Sequence, residues 1–310
     1  MIYTTKPLSQ NNLKDLKYLY KAVFGNIYSL EYIHKKYSTH YLDKHYFGHI
    51  AYDNNKPIAF HGAIPILMQY KNQEELSAQY GDAMTLPNYS GRGLFTTLGR
   101  LTDVQLKKAG IRFVWGFPNQ NSEYGCINKL DWRYKDRMRC FKIKGSLFPL
   151  EKIFRKLPII SKVYDTYTRT VFEKYKVNKL LKGSISKDRM IVSTVRNKDY
   201  YTYKYAAGSF SIKIDDVLFW IKIKNGLLIG DVEASSRDSF KKSLKKLTSI
   251  AVRIGISELI IQTSPNTLLA SYLDDYPSQK QDTWIVGYKN FSSDFPLEKL
   301  KFTLGDLDTF

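Results

Sequence analysis

Residues 80–132, YGDAMTLPNYSGRGLFTTLGRLTDVQLKKAGIRFVWGFPNQNSEYGCINKLDW, alternate strand-like, loop-like and helix-like character more plainly than any other stretch. Gln79 to Leu86 is β-compatible and is closed by Pro87-Asn88. Tyr89-Ser90-Gly91-Arg92-Gly93 then opens a helix predicted from Leu94 to Ala109. A strand over Phe113–Gly116, a Pro118-Asn119 turn and a second short helix follow. Two glycines let the backbone approach a ligand closely. The helix start adds N–H groups without intrahelical partners and a partial positive charge. That combination suits an anion, most naturally a phosphate. A simple glycine-bearing turn fits the same residues, so the loop alone does not decide between them.

The surroundings do more. The segment resembles the acyl-CoA-binding core of the GNAT acetyltransferase superfamily, whose pattern is Arg/Gln-x-x-Gly-x-Gly/Ala before a helix and an Asn at the end of the next strand. Ser90-Gly91-Arg92-Gly93-Leu94-Phe95 fills the loop, and Val114-Trp115-Gly116-Phe117-Pro118-Asn119 fills the strand end. Ser90 stands where the pattern has Arg or Gln, Phe95 where it has a second small residue, and Asp131 where it often has a glycine. Cys126 holds the place of a general-acid tyrosine. The GFPN element and the Gly-Leu-Phe after the loop resemble a bacterial subgroup linked to sugar modification.

Composition narrows the class without choosing the chemistry. The 310 residues are enough for two domains, and 43% hydrophobic and 15% aromatic content is that of a globular chain. No apolar run reaches membrane-spanning length and no signal-peptide core is present, so the expected compartment is the cytoplasm. Cys126 and Cys140 fit no metal spacing. His34, His40, His45, His49 and His61 read as surface or strand-face residues, so no metal site is expected. The net charge of +19 divides as +10 over residues 1–145, +7 over 146–190 and +2 over 191–310. Basic character therefore gathers on the half with the anion loop and on the stretch after it. A CoA pyrophosphate, a nucleic acid, a membrane surface or merely solvated lysines would each fit.

In chain order, helices over Leu13–Phe24 and Ser29–Tyr37 precede paired strands over Phe47–Tyr52 and Ile58–Tyr70, then Leu76–Met84. Arg133–Lys144 closes this part as strand. Residues 146–190 mix bulky apolar residues and lysines at near-helical spacing, broken by Pro149 and Pro158. They read as a helical connector, with a membrane-surface helix as the sharper alternative. The remainder echoes the beginning. Asp199–Tyr205 aligns with Glu31–Tyr37, sharing Tyr, Lys and Tyr at equal spacing, and each is followed by a meander, a helix and a strand. In the second part those are Ser209–Ile214, Val217–Lys224, Leu227–Val232, Ser239–Ile254 and Glu258–Gln262. Pro265-Asn266 matches Pro118-Asn119. Between Val232 and Phe240 there is no glycine, and Glu233 and Asp238 would repel a pyrophosphate. The expected fold is α+β (mixed α/β). Two tandem GNAT-like domains, 1–145 and a degenerate 191–310, flank the connector 146–190, each a mostly antiparallel twisted sheet with helices.

The resemblance implies acetyl-CoA or another acyl-CoA as cofactor. Backbone groups of Ala83, Met84 and Thr85 would hold the pantetheine. Ser90, Gly91, Arg92, Gly93, Leu94, Phe95 and Thr96 would form the pyrophosphate loop, and Asn119 and Ser122 would line the cofactor near the strand end. Asp82 is a candidate base, with Glu123 as its rival, and an ordinary strand carboxylate paired with a lysine fits Asp82 equally. Tyr124 and Cys126 compete as proton donor to the thiolate. Glu123, with Asp306 and Asp308 of the C-terminal tail, is a candidate for meeting the acceptor, although a solvated terminus also accounts for the tail. The expected activity is N-acyl transfer to a primary amine, an amino sugar or sugar nucleotide destined for surface polysaccharide. The alternatives are a tRNA-dependent aminoacyl transferase and a non-catalytic binding protein.

Overall fold

A computed structural model describes residues 3–154, 158–185 and 190–310. The chain divides into two compact units, one of Met1–Asp136 with Trp284–Lys299, the other of Arg137–Thr283 with Leu300–Phe310. The C-terminal segment is thus shared between the units, which the contiguous boundaries at 145 and 190 do not anticipate.

Unit 1 runs β1 (Thr4–Pro7), α1 (Leu13–Phe24), α2 (Leu30–Tyr37), the two-residue strands β2 (Ser38–Thr39) and β3 (Lys44–His45), β4 (Phe47–Asp53), β5 (Lys56–Tyr70), β6 (Gln73–Thr85), α3 (Leu94–Lys108), β7 (Phe113–Gly116) and α4 (Glu123–Lys129). The strand β8 (Arg133–Lys144) begins here and continues into unit 2. Strands β1, β4, β5 and β6 are neighbours in that order and antiparallel, and β7 then lies parallel to β6. The β4–β5 turn puts Asn54 and Asn55 at φ 47° and 68°, the left-handed pair that a tight hairpin requires. Successive β5 residues face opposite sides of the sheet. Phe60 meets Tyr37 of α2 with ring centroids 5.6 Å apart, while His61 meets Phe95 of α3 at 5.4 Å. Helices therefore cover both faces. This explains why β5 reads as an almost unbroken apolar run from Ile58 to Met68.

Unit 2 contains α5 (Leu150–Phe154), α6 (Pro158–Glu173), the short β9 (Ser193–Thr194), α7 (Lys198–Tyr205), β10 (Phe210–Ile214), β11 (Val217–Ile223), β12 (Leu227–Glu233), α8 (Arg237–Arg253), β13 (Glu258–Thr263) and α9 (Leu268–Leu273). The start of β14 (Gln279–Asn290) is also in this unit. Its strands are ordered β8, β13, β12, β11, β10, all antiparallel except the β12–β13 pair. Asn225-Gly226 makes the β11–β12 hairpin with φ 48° and 115°. The core, centred on Phe219, Ile229, Phe240, Leu244 and Ile261, seals the sheet against α8. Residues 155–157 and 186–189 of the expected connector lie outside the described residues. The rest of it holds α5 and α6, and α6 begins at Pro158, where a missing N–H costs nothing.

The element order of the two units is the same: helix, three antiparallel strands, helix, strand parallel to the third, short helix. α2 and α7, the two stretches that align in sequence, are both eight-residue helices. Each unit also completes its sheet in one way. Residues 287–290 of β14 lie antiparallel to β7 in unit 1, and residues 139–144 of β8 lie antiparallel to β13 in unit 2. No helix among the described residues is long and apolar enough to cross a membrane.

Candidate active site

The glycine loop of unit 1 leaves a helix end uncapped. Gly91 and Gly93 both have φ 74°, the left-handed region that a side chain resists, and a Cβ at either would meet only open space. Gly93 is the N-cap of α3 and supplies no side-chain cap. Its carbonyl accepts from Thr97 N–H at 3.0 Å, so the N–H groups of Leu94, Phe95 and Thr96 have no acceptor inside the helix. Arg92 braces the loop: its guanidinium donates to the Tyr3 hydroxyl at 2.6 Å and the Asn88 carbonyl at 3.0 Å, and lies 5.0 Å from the Tyr89 ring. Ser90, Gly91, Arg92 and Gly93 are exposed, whereas Leu94 is buried and Phe95 packs against Gly125. A cradle of backbone donors open to solvent fits a pyrophosphate.

Beside the loop, the sheet parts. The β6–β7 ladder runs from Ser77↔Phe113 to Tyr80↔Gly116, where β7 ends. β6 goes on to Thr85, paired on its other side to β5 through His61↔Ala83, Phe60↔Met84 and Ala59↔Thr85. The β7-side edge of residues 81–85, with Ala83, Met84 and Thr85, therefore presents backbone groups beyond the end of the ladder. Such an edge suits the amides of a pantetheine chain. Across the gap, Asn119 builds a turn: its Oδ1 accepts from Asn121 N–H at 2.9 Å and Ser122 N–H at 3.2 Å, and the Ser122 Oγ accepts from Asn119 N–H at 3.1 Å. The turn aims the start of α4, where half-buried Glu123 meets the positive end of the helix.

Asp82 occupies a bulge between these features. Gly81 faces Gly62 and Ala83 faces His61, which leaves Asp82 as the extra residue, at φ 34°. Its carboxylate is held by the Lys36 ammonium at 2.5 Å, the Tyr37 hydroxyl at 2.6 Å and the Tyr20 hydroxyl. Burial alone would raise its pKa. The Lys36 charge, with the three hydrogen bonds, outweighs burial and holds the carboxyl below its ordinary value. A carboxylate so depressed and so fully engaged is a poor proton acceptor at neutral pH. The lysine pairing weighed from sequence is present, and the partner is on α2. Burial, reinforced by the Asp82 charge, pushes the Tyr20 and Tyr37 hydroxyls up.

Of the rival donors, Cys126 lies in the core with Phe47, Leu106, Leu130 and Trp132. Burial, aided by Asp103, pushes its thiol up to about 12. Tyr124, two residues earlier, is 65% exposed. Further residues lie close to these features without having been singled out as candidates from the sequence. The Tyr80 hydroxyl donates to Asp103, whose carboxylate also pairs with Lys289 at 2.9 Å. His61 packs 4.5 Å from the Tyr80 ring. Burial, with His49 adding, pushes its imidazole down to about 3, and its Nδ1 has no hydrogen-bond partner. Lys36 had a legible signal, since it is the lysine shared by the two aligned stretches at the position of Lys204.

The matching part of unit 2 is built differently. The β12–β13 ladder ends at Ile229↔Ile261, and a bulge leaves Gly230 unpaired. Beyond it the chain's own residues 182–184 engage the carboxylates of β12: Lys182 N–H donates to the Glu233 carboxylate at 2.7 Å, and Ser184 Oγ donates to Asp231 at 2.6 Å. A Cβ on Gly183 would lie 2.6 Å from the Asp231 carboxylate. The tail also packs here, with the Phe310 ring on Gly230 and the Lys204 ammonium donating to the Leu307 carbonyl at 2.6 Å. Asp306 is buried and paired with Arg196 at 2.9 Å, and Arg196 also holds Asp231. Asp306 is thus a structural member of an ion network within unit 2 rather than part of a solvated tail, while Asp308 is partly exposed. Ser236 caps α8, its Oγ accepting from Ser239 N–H at 3.1 Å.

An uncapped helix beside a parted sheet edge points to a class of fold, and comparison with known proteins agrees. Residues 4–135 match the family model described as Acetyltransferase (GNAT) domain. No curated protein matches the chain. Among solved structures, the GCN5-related N-acetyltransferase of Kribbella flavida superposes with TM-score 0.57 at 11% identity, covering 93% of this chain and 72% of that one. The GCN5-related N-acetyltransferase of Anabaena variabilis gives 0.57 at 13%, covering 93% and 73%. Saccharomyces cerevisiae N-myristoyltransferase with bound myristoyl-CoA gives 0.58 at 10%, covering 92% and 82%. The protein has the mixed α/β GNAT acyltransferase fold.

Proposed function

We propose that this protein is an acyl-CoA-dependent N-acyltransferase, with its cofactor site in unit 1 and a degenerate GNAT-like copy in unit 2. The observation that carries this is the pairing in unit 1 of an uncapped, glycine-opened α3 with the parted β6 edge; in unit 2 the matching helix is capped by Ser236, and the Asp231 and Glu233 carboxylates of β12 are engaged by residues 182–184. The N–H groups from Arg92 to Thr96, on the loop of Ser90, Gly91 and Gly93, hold the pyrophosphate. Backbone groups of Ala83, Met84 and Thr85 align the pantetheine, and Asn119 and Ser122 bound the cofactor near α4. Acyl-CoA, when bound, supplies the acyl group as a thioester. The protein's part is to position an amine beside it and to exclude competing geometries. Asp82 serves by fixing the bulge through Lys36, Tyr20 and Tyr37, which sets the direction of the neighbouring backbone donors. Tyr124 is better placed than Cys126 to give a proton to the departing thiolate, because it is exposed and not sealed in the core. Glu123 stands at the acceptor side.

Acetyl-CoA is the proposed donor, and a primary amine on an amino sugar or sugar nucleotide for surface polysaccharide is the proposed acceptor. The acceptor rests on the likeness of the GFPN element to the sugar-linked subgroup. The donor is tested by calorimetric titration with CoA, acetyl-CoA and a long-chain acyl-CoA. The acceptor is tested by thiol release from the tightest binder against a panel of amino sugars, sugar nucleotides, peptides and polyamines. Binding without thiol release on any amine would leave a cofactor-binding protein and sink the transferase reading. Release only with peptides or polyamines would sink the sugar reading.

A further inference from the structure

The α5–α6 region of unit 2 exposes an apolar surface that its own fold does not use. Leu147, Phe148, Ile153, Ile160, Val163 and Tyr167 are all solvent-exposed, Phe148 at 78% and Val163 at 65%. Single exposed apolar residues are ordinary; six within a short span of chain are not. On α6, Ile160, Val163 and Tyr167 follow the i, i+3, i+7 spacing that puts them along one side of the helix. A different set anchors that helix. Tyr164, Thr168 and Phe172 are buried, and the Tyr164 hydroxyl donates to the Ile254 carbonyl at 2.8 Å. The exposed stripe is therefore surplus to the packing of α6.

Charge decides what would cover it. Residues 146–190 carry a net +7. Lys162 and Arg169 are exposed on α6 and Lys174 just after it, while Lys152 on α5 lies 3.8 Å from Glu258. The acids of the two helices are largely withdrawn: Glu151 is buried against the backbone N–H of Gly226, Asp165 is half-buried, and Glu173 is matched by Lys176 at 3.3 Å. The apolar residues at the lead into α5, Leu147 and Phe148, protrude to solvent, as an inserting wedge would. Lysines and arginines beside such residues can lay their stems along apolar surface and set their charges among anionic headgroups. We propose that this face docks the protein peripherally on an anionic phospholipid bilayer, with Phe148 and Val163 inserted and the surrounding lysines at the headgroups. The proposal is independent of the acyl-transfer reading, since none of these residues belongs to the cofactor site.

Co-sedimentation of the full chain with phosphatidylcholine vesicles, with and without roughly one third phosphatidylglycerol, tests it. Partitioning should rise about tenfold or more with the anionic lipid and fall in high salt. Phe148→Ser combined with Val163→Ser should lower it about tenfold. The melting temperature should not move, because both side chains are already exposed. Phe148→Trp should show a blue-shifted emission with anionic vesicles only. Equal partitioning into neutral vesicles, no binding at all, or binding unmoved by the double substitution would overturn the proposal. So would a concentration-dependent dimer that the double substitution abolishes in a protein that ignores vesicles, which would give the face to a second copy of the chain.

Discussion

α3 and α8 begin in opposite ways. α3 starts on Gly93, with no side-chain cap and open space around the glycines, whereas α8 starts on Ser236, whose hydroxyl satisfies its first turn. The strand edges beside them differ in the same sense. The β6 edge runs on past the end of its β7 ladder, while beside β12 residues 182–184 engage the Asp231 and Glu233 carboxylates. The same element order therefore goes with an uncapped helix start in one unit and a capped one in the other. The difference lies in a few residues and in where a single loop runs. From sequence Glu233 is expected to repel a pyrophosphate. In the structure its carboxylate accepts a hydrogen bond from Lys182 N–H.

The largest effects should come from the buried ion networks at the two bulges. Arg196→Met leaves Asp231 and Asp306 without their shared partner and should destabilise by at least about 3–5 kcal/mol. Lys36→Met strands Asp82, with the pair's side chains only 6% and 12% exposed, and should cost about 3 kcal/mol. Urea unfolding measures both, and Lys36→Met should also depress turnover. The sign of the pH dependence follows from Asp82. Its folded-state value lies below the ordinary 3.8, so its contribution is complete above that value and is lost as pH falls from there through the lower folded-state value. The Lys36→Met protein should lose this part of its acid sensitivity. An unchanged acid limb would remove Asp82 from the network.

Next come the glycines. Gly183→Ala puts a Cβ 2.5 Å from the Arg196 guanidinium at φ 84°, and should cost about 3 kcal/mol from strain and collision together. Gly91→Ala meets open space at φ 74°, so only backbone strain of about 1 kcal/mol applies. Equal losses in the melting curves of the two would contradict the open surroundings of Gly91 and the crowded ones of Gly183. Smaller still for stability is Tyr124→Phe, which should stay within about 0.5 kcal/mol at this exposed position while lowering kcat by about 100-fold if Tyr124 is the proton donor. Cys126→Ser should do the reverse, costing about 1–2 kcal/mol for a buried hydroxyl with turnover nearly intact.

Much of the fold was legible because local signals agreed with the tertiary structure. Strand β7 falls on Phe113–Gly116 as read, and α3 ends at Lys108, one residue short of the expected Ala109. The hairpin at Asn225-Gly226 also holds, and Asp199–Tyr205 and Glu31–Tyr37 fall on the helices α7 and α2. What was not legible depends on long-range placement. Nothing in the spacing of Lys36, Tyr20 and Tyr37 says that all three reach one carboxylate on β6. Nor does the sequence show that residues 137–144 serve unit 2 while 284–290 serve unit 1, because a strand's pattern does not name its neighbour. The buried fate of Asp306 was hidden for the same reason: a carboxylate near a chain end looks solvated until Arg196 is found beside it.

The direct test of the central claim is the stoichiometry and site of cofactor binding. Titration of the protein with acetyl-CoA by calorimetry should give one site per chain. Gly93→Glu, which places a carboxylate at the start of α3, should weaken binding by about 100-fold or more, and Glu233→Gln in unit 2 should leave it unchanged. Two sites per chain, or full affinity in the Gly93→Glu protein, would contradict the account.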